Sequence, residues 1–166
     1  VTMIGQVGDD AFGRSLRDGL TADGIDVSGV SFTSEVGTGV AMILVEDIGQ
    51  NRIVLAAGAN GALSVVDVDV LAPVLKAAAM LVVQLEVPAL VVQRAIEIAH
   101  AAGVVVLLNP GPAVPLPDSL WSQVDILVPN ESEASLLAGV AVSDTASAFA
   151  AARVFRRRGV RHVLIT

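Results

Sequence analysis

Four short apolar runs dominate the second half of this chain: MLVVQLEV at residues 80–87, VVVLL at 104–108, ILV at 126–128 and HVLI at 162–165. They are nearly free of charge and apolar at both alternating positions, so each strand needs cover on both faces. The segments between them have another period. Val91, Ala95, Ile98 and Ala102 fall on one face of a helix and Gln93, Arg94, Glu97 and His100 on the other, with Gly103 as its C-terminal cap. Residues 130–138 predict a short helix. Residues 144–158 predict a longer one, with Ala148, Ala152 and Phe155 apolar, and Arg156, Arg157 and Arg158 at the negative end of its dipole before Gly159. Strands alternating with amphipathic helices predict βαβ units: an α/β, doubly wound, mostly parallel sheet with helices on both faces.

The first half reads differently. Residues 12–22 predict a helix after GQVGDD, with Asp9 or Asp10 as N-cap, and residues 38–56 predict two strands around EDIGQN, a hairpin with a Gly-containing loop. No helix shields that hairpin, so it is expected to project as a flap or interface. With no repeat or linker, the expectation is one domain over residues 1–166, with 38–56 as its appendage.

Composition excludes several classes. The chain has 166 residues, 54% of them hydrophobic, but no apolar run approaches the ~18 residues of a membrane span. The absence of a signal-peptide pattern and of cysteine makes a cytoplasmic location the expectation and excludes disulfide frameworks and thiolate metal sites. A net charge of −7 argues against nucleic acid and anionic membranes as partners.

In open α/β sheets, ligands bind beyond the carboxyl ends of the strands. Each predicted strand ends in something polar: Glu86, then Asn109, then Asn130 with Glu133, then Thr166. Bland readings compete with a site. Asn130 and Glu133 have the spacing of a capping box, Asn109 before Pro110 suits a turn, and Glu86 before Pro88 could simply close a strand. His100 and His162 lack partners at metal spacing, reading instead as a solvated helix position and a strand start. P-loop, G-x-G-x-x-G and G-x-S-x-G motifs are absent, which disfavours P-loop phosphate binding, classical dinucleotide binding and serine hydrolysis.

MIGQVGDDAFG, TGVAMILVE, NRIVLAAGAN, VVQLEVP, LLNPGPA, DILVPNESEA and GVRHVLIT, in this order and spacing, resemble the ribokinase and PfkB family of sugar kinases over essentially the whole chain. The resemblance implies a ribokinase-like fold and ATP-dependent phosphorylation of D-ribose to ribose 5-phosphate, with ATP and Mg²⁺ as cofactors. It implies that Glu86 hydrogen-bonds sugar hydroxyls, that Asn130 lies near the ATP phosphates, that Glu133 orients Mg²⁺ through water and that Thr166 opens the nucleotide-binding loop. Asn109 is a further candidate. The hairpin resembles part of the lid that in ribokinases covers the sugar and pairs two subunits, which makes a homodimer the implied assembly. Gly111 is a minor departure, standing where the family's usual form has Ala.

Larger departures concern motifs. The family's sugar-binding Asp, its GGKGAN-type glycine motif and its GAGD motif, which carries the catalytic Asp, have no counterpart in these 166 residues, and neither do the ligands of a monovalent cation such as K⁺. The expectation is a partial fold without catalytic residues of its own, inactive alone, and prone to associate through unpaired strand edges. Alternatives are a PfkB-type kinase for fructose, a ketodeoxy acid or a nucleoside, or a non-catalytic sugar- or nucleotide-binding remnant. A periplasmic-type sugar binder is disfavoured by the missing signal peptide.

Overall fold

The computed structural model describes residues 1–46, 49 and 51–166. Asp47, Ile48 and Gln50, at the tip of the expected hairpin, lie outside the described residues. The chain divides into two compact units, Val1–Leu63 and Ser64–Thr166.

In the first unit, β1 (Thr2–Gly8) pairs in parallel with β2 (Asp26–Thr33) through the crossover helix α1 (Ala11–Ala22). Asp10, one of the two expected caps, begins that helix by accepting the Gly13 N–H at 2.8 Å. The same carboxylate reaches a residue 28 positions away, accepting the Thr38 N–H and the Thr38 hydroxyl, each at 2.8 Å. Thr38 Oγ1 in turn accepts the Gly8 N–H at 3.0 Å. Glycine is required around this knot: a Cβ on Gly13 would stand 2.1 Å from the Gly8 carbonyl oxygen, and one on Gly58 would stand 2.5 Å from that of Gly37. Beyond Thr38 the expected hairpin is present, with β3 (Val40–Val45) antiparallel to β4 (Asn51–Ala56). Met42, Ile43, Leu44, Val45, Ile53, Val54 and Leu55 are all exposed, so apolar residues line both of its faces.

The second unit is a four-stranded parallel sheet whose spatial order follows the chain: β5 (Met80–Val83), β6 (Val105–Leu108), β7 (Ile126–Leu127) and β8 (His162–Val163). All four expected strands are there, but shorter than their apolar runs. The first stops at Val83 rather than 87, because the chain must bend through Leu85, Glu86 and Val87 to start α4 (Ala89–Ala101) behind Pro88, which has no N–H to give a ladder. Helix α4 packs on β5 and β6 with Val91, Val92, Ala95, Ile96, Ile98 and Ala99 buried, leaving His100 exposed as expected. Helices α2 (Val65–Val70) and α3 (Ala72–Ala77) pack on α4; α5 (Asp118–Trp121) precedes β7. Helix α6 (Glu131–Ala138) packs on α7 (Thr145–Arg157), which lies against β8.

The core of this unit gathers Ile96, Val106, Leu108, Trp121, Leu127 and Phe155, with the Trp121 and Phe155 rings 5.5 Å apart. A side chain such as Phe155, with no exposed surface, stabilises its site by about 3–5 kcal/mol relative to Ala. Met80 and Val82 on β5 and Leu164 beyond β8 are exposed, so the sheet's margins carry uncovered apolar surface.

Candidate functional site

Because the four strands of the second unit are parallel, their carboxyl ends share one edge. Backbone pairing continues past the strands and fixes the exits side by side. The Asn109 N–H donates to the Val83 carbonyl at 2.9 Å, and the Leu85 N–H returns to Gly111 at 3.0 Å. The Val128 N–H donates to Leu108 and that of Leu164 to Leu127, each at 2.9 Å, and the Thr166 N–H donates to Pro129 at 3.1 Å. Glu86, Asn109, Asn130 and Thr166 thus follow neighbouring rungs of one rim.

The capping reading of Asn130 and Glu133 is correct as far as it goes. Asn130 Oδ1 accepts the Glu133 N–H at 2.8 Å, and Glu133 Oε2 accepts the Asn130 N–H at 2.9 Å, the reciprocal pair of a capping box at the start of α6. Glu133 uses one carboxylate oxygen for this. The other, Oε1, lies against the β6 exit: a Cβ built on Gly111 would stand 2.8 Å from it and 3.2 Å from Asn109 Oδ1. Asn109 Oδ1 accepts the Gly111 N–H at 3.2 Å, the turn role foreseen for it.

Asn109, Asn130 and Glu133 are therefore brought together by their side chains. Glu86 and Thr166 share the rim through their backbones, and their exposed side chains make no hydrogen bond among the described residues. Sequence reasoning missed that Gly111 bridges two exits, its N–H donating to Asn109 and its carbonyl accepting the Leu85 N–H just before Glu86. Only its departure from a motif marked it.

Two other acidic places behave differently. At the opposite edge of the sheet, Asp125 Oδ2 accepts the Val106 N–H at 2.9 Å and Oδ1 pairs with Arg161 at 3.2 Å, so this carboxylate is spent on structure. In the first unit a cleft of about 250 Å³ is lined by Asp9, Asp10, Glu35 and neighbours. Asp10 there is committed to Gly13 and Thr38, and those hydrogen bonds hold its pKa down at about 2.

The rim fits a magnesium nucleotide in one specific way. Mg²⁺ keeps several waters and is commonly bound by one or two carboxylates plus phosphate oxygens rather than by a protein cage. Among the described residues no group of three His, Cys, Asp or Glu side chains could hold a metal, whereas Glu133 has an oxygen left over from its cap and the N-terminus of an eight-residue helix lies beside it. Such an N-terminus favours anionic phosphate.

The model of the pfkB family carbohydrate kinases matches residues 1–166. The chain belongs to that family. It is 46% identical to a ribokinase of Schizosaccharomyces pombe over 137 residues, covering 82% of this chain and 43% of that protein. It is 41% identical to a ribokinase of Haemophilus influenzae over 166 residues, covering all of this chain and 54% of the other. Among solved structures, Arabidopsis thaliana ribokinase complexed with ribose and ATP superposes with a TM-score of 0.91 at 29% identity, covering 99% of this chain and 54% of that one. The chain thus has the ribokinase-like α/β fold and spans about half the length of the relatives it matches. Among the described residues no helix is long and apolar enough to cross a membrane.

Proposed function

We propose that these residues form the nucleotide- and metal-facing rim of a ribokinase-type sugar kinase that transfers the γ-phosphoryl group of ATP to the primary hydroxyl of D-ribose in the cytoplasm. The observation that carries this reading is the Asn130–Glu133 box, which leaves Glu133 Oε1 free of the cap beside Asn109 and Gly111 at the carboxyl edge of a parallel sheet.

In this reading Glu86 accepts hydrogen bonds from sugar hydroxyls, Asn130 stands near the nucleotide phosphates, Glu133 orients metal-bound water and Thr166 begins the loop that receives the nucleotide. Bound Mg²⁺ would supply charge neutralisation to the phosphate oxygens. The sugar oxygen forms its bond to the γ-phosphorus as the bond to the bridging oxygen breaks, ADP leaves, and the hydroxyl proton passes to a carboxylate base. No GAGD motif occurs in residues 1–166, so that base is not among them and these residues by themselves bind without turnover. The exposed apolar hairpin is the lid-like element and the pairing surface for a second copy.

Calorimetry and a kinase assay on the 166-residue chain test this together. A non-hydrolysable ATP analogue should bind in a Mg²⁺-dependent way that Glu133→Gln weakens, while ATP, Mg²⁺ and ribose give no ribose 5-phosphate. Turnover by this chain alone contradicts the assignment of the base. Silence toward both nucleotide and ribose makes it a non-binding remnant.

A further inference from the structure

We propose that Arg158 is a positioning residue for the helix that carries the rim: reaching across from α7, it ties down the carboxyl end of α6, whose amino end holds the Asn130–Glu133 box. Its effect on nucleotide binding rests on the reading of that box as the phosphate- and metal-facing element.

By its place in the sequence Arg158 is one of three cations at the negative end of α7. Its guanidinium serves a different helix. Nη1 donates to the Leu137 carbonyl at 2.9 Å, 21 residues away, and Cζ stands 5.5 Å from the centroid of the Trp121 ring. Trp121 is buried and packs on Phe155, so the cation lies on a fixed aromatic floor. Leu137 belongs to the last turn of α6, where carbonyls have no partner inside the helix, and α6 has no basic residue of its own in that turn. Arg158 supplies both the missing donor and the positive charge that the end of the dipole favours.

Helix α6 depends on such a tie. It has eight residues and a single fully buried one, Ala134, and helices this short are held by tertiary contacts rather than by their own propensity. Helix formation is cooperative, so its two turns persist or melt together. The ladder runs from the Ala134 N–H on Asn130, at 2.8 Å, to the Gly139 N–H on Ser135, at 3.0 Å. The box closes only while the first turn is helical, because its two reciprocal hydrogen bonds need Asn130 and Glu133 one turn apart. A tie on the last turn therefore supports the first.

Hydrogen exchange on the parent chain, Arg158→Met and Arg158→Lys tests this, with calorimetry of the Mg²⁺–ATP analogue alongside. Met keeps aliphatic bulk over Trp121 and removes donor and charge, whereas Lys keeps a donor and the charge. Arg158→Met should speed exchange of the Ala134 and Gly139 amides, at the two ends of α6, about tenfold each, the worth of a hydrogen bond to a charged group. The Val106 and Asn109 amides of the sheet should stay as they were, and Arg158→Lys should recover most of the protection in α6. Acceleration confined to Gly139 would make Arg158 a local cap and overturns the proposal. So do acceleration that spreads to Val106 and Asn109, which would mean that the whole unit has loosened, and equal losses in the Met and Lys variants. Calorimetry reports separately on the function: Arg158→Met should weaken Mg²⁺-dependent binding and Arg158→Lys restore it, and undiminished binding in Arg158→Met overturns the proposal. No binding by the parent chain sinks the functional reading instead, while the exchange pattern still decides the role of Arg158.

Discussion

Asp10 and Glu133 both stand at the start of a helix, both satisfy a backbone N–H there, and they end in opposite states. Asp10 is saturated: the Gly13 N–H, the Thr38 N–H and the Thr38 hydroxyl all donate to it, which knots the root of the β3–β4 hairpin to α1. Glu133 closes its cap with one oxygen and keeps the other at the sheet edge beside Gly111. The difference teaches that an acid at a helix start says little by itself. What the remaining lone pairs meet decides whether the group holds structure or stays available to a ligand.

That contrast breaks most readily at Thr38. Thr38→Val removes the hydroxyl that donates to Asp10 and accepts from Gly8, leaving the buried Gly8 N–H unpaired while Asp10 keeps the Gly13 and Thr38 N–H groups, and should destabilise the first unit by about 1–3 kcal/mol in denaturant unfolding. Thr38→Ser keeps the hydroxyl and should retain most of that stability. Equal losses in the two variants would mean that methyl packing, not the knot, matters.

Acid sharpens the comparison. The Asp10 pKa is lowered from 3.8 to about 2 in the folded chain, so its contribution is fully present above about 3.8 and is lost as pH falls through about 2. Asp26 and Asp144 are lowered as well, by hydrogen bonds from Ser28 and Ser147. Asp10→Asn should flatten the acid limb of the stability–pH curve without abolishing it; an unchanged limb would remove Asp10 from the account.

The smallest expected stability effects lie at the rim. Asn130→Ala should cost about 1 kcal/mol as a lost N-cap. Glu133→Gln, which can still cap, should stay within about 0.5 kcal/mol in thermal melts. A large loss of stability in Glu133→Gln would make Glu133 a structural residue like Asp10.

Much of the second unit was legible because strand and helix periods differ and the helix starts carry Asn130 or Asp144 as caps. Parallel strand order then placed Glu86, Asn109, Asn130 and Thr166 on one edge. Residues 65–77 gave no such signal: Val and Asp alternate in VVDVDV with the period of a strand, and Pro73 interrupts the next few residues, yet the Ser64–Asp67 capping box starts a helix there. The Asp10–Thr38 knot was invisible because its partners are 28 residues apart and meet only through the β1–α1–β2 crossover.

The central claim is that the carboxyl edge of the β5–β8 sheet receives a magnesium nucleotide. Hydrogen exchange with and without Mg²⁺ and a non-hydrolysable ATP analogue tests it most directly. Protection of residues 109–113 and 128–134, with none around Asp125 and Arg161 at the opposite edge, is the predicted result. Protection confined to that opposite edge or to the hairpin, with the Asn130–Glu133 segment unchanged, would contradict it.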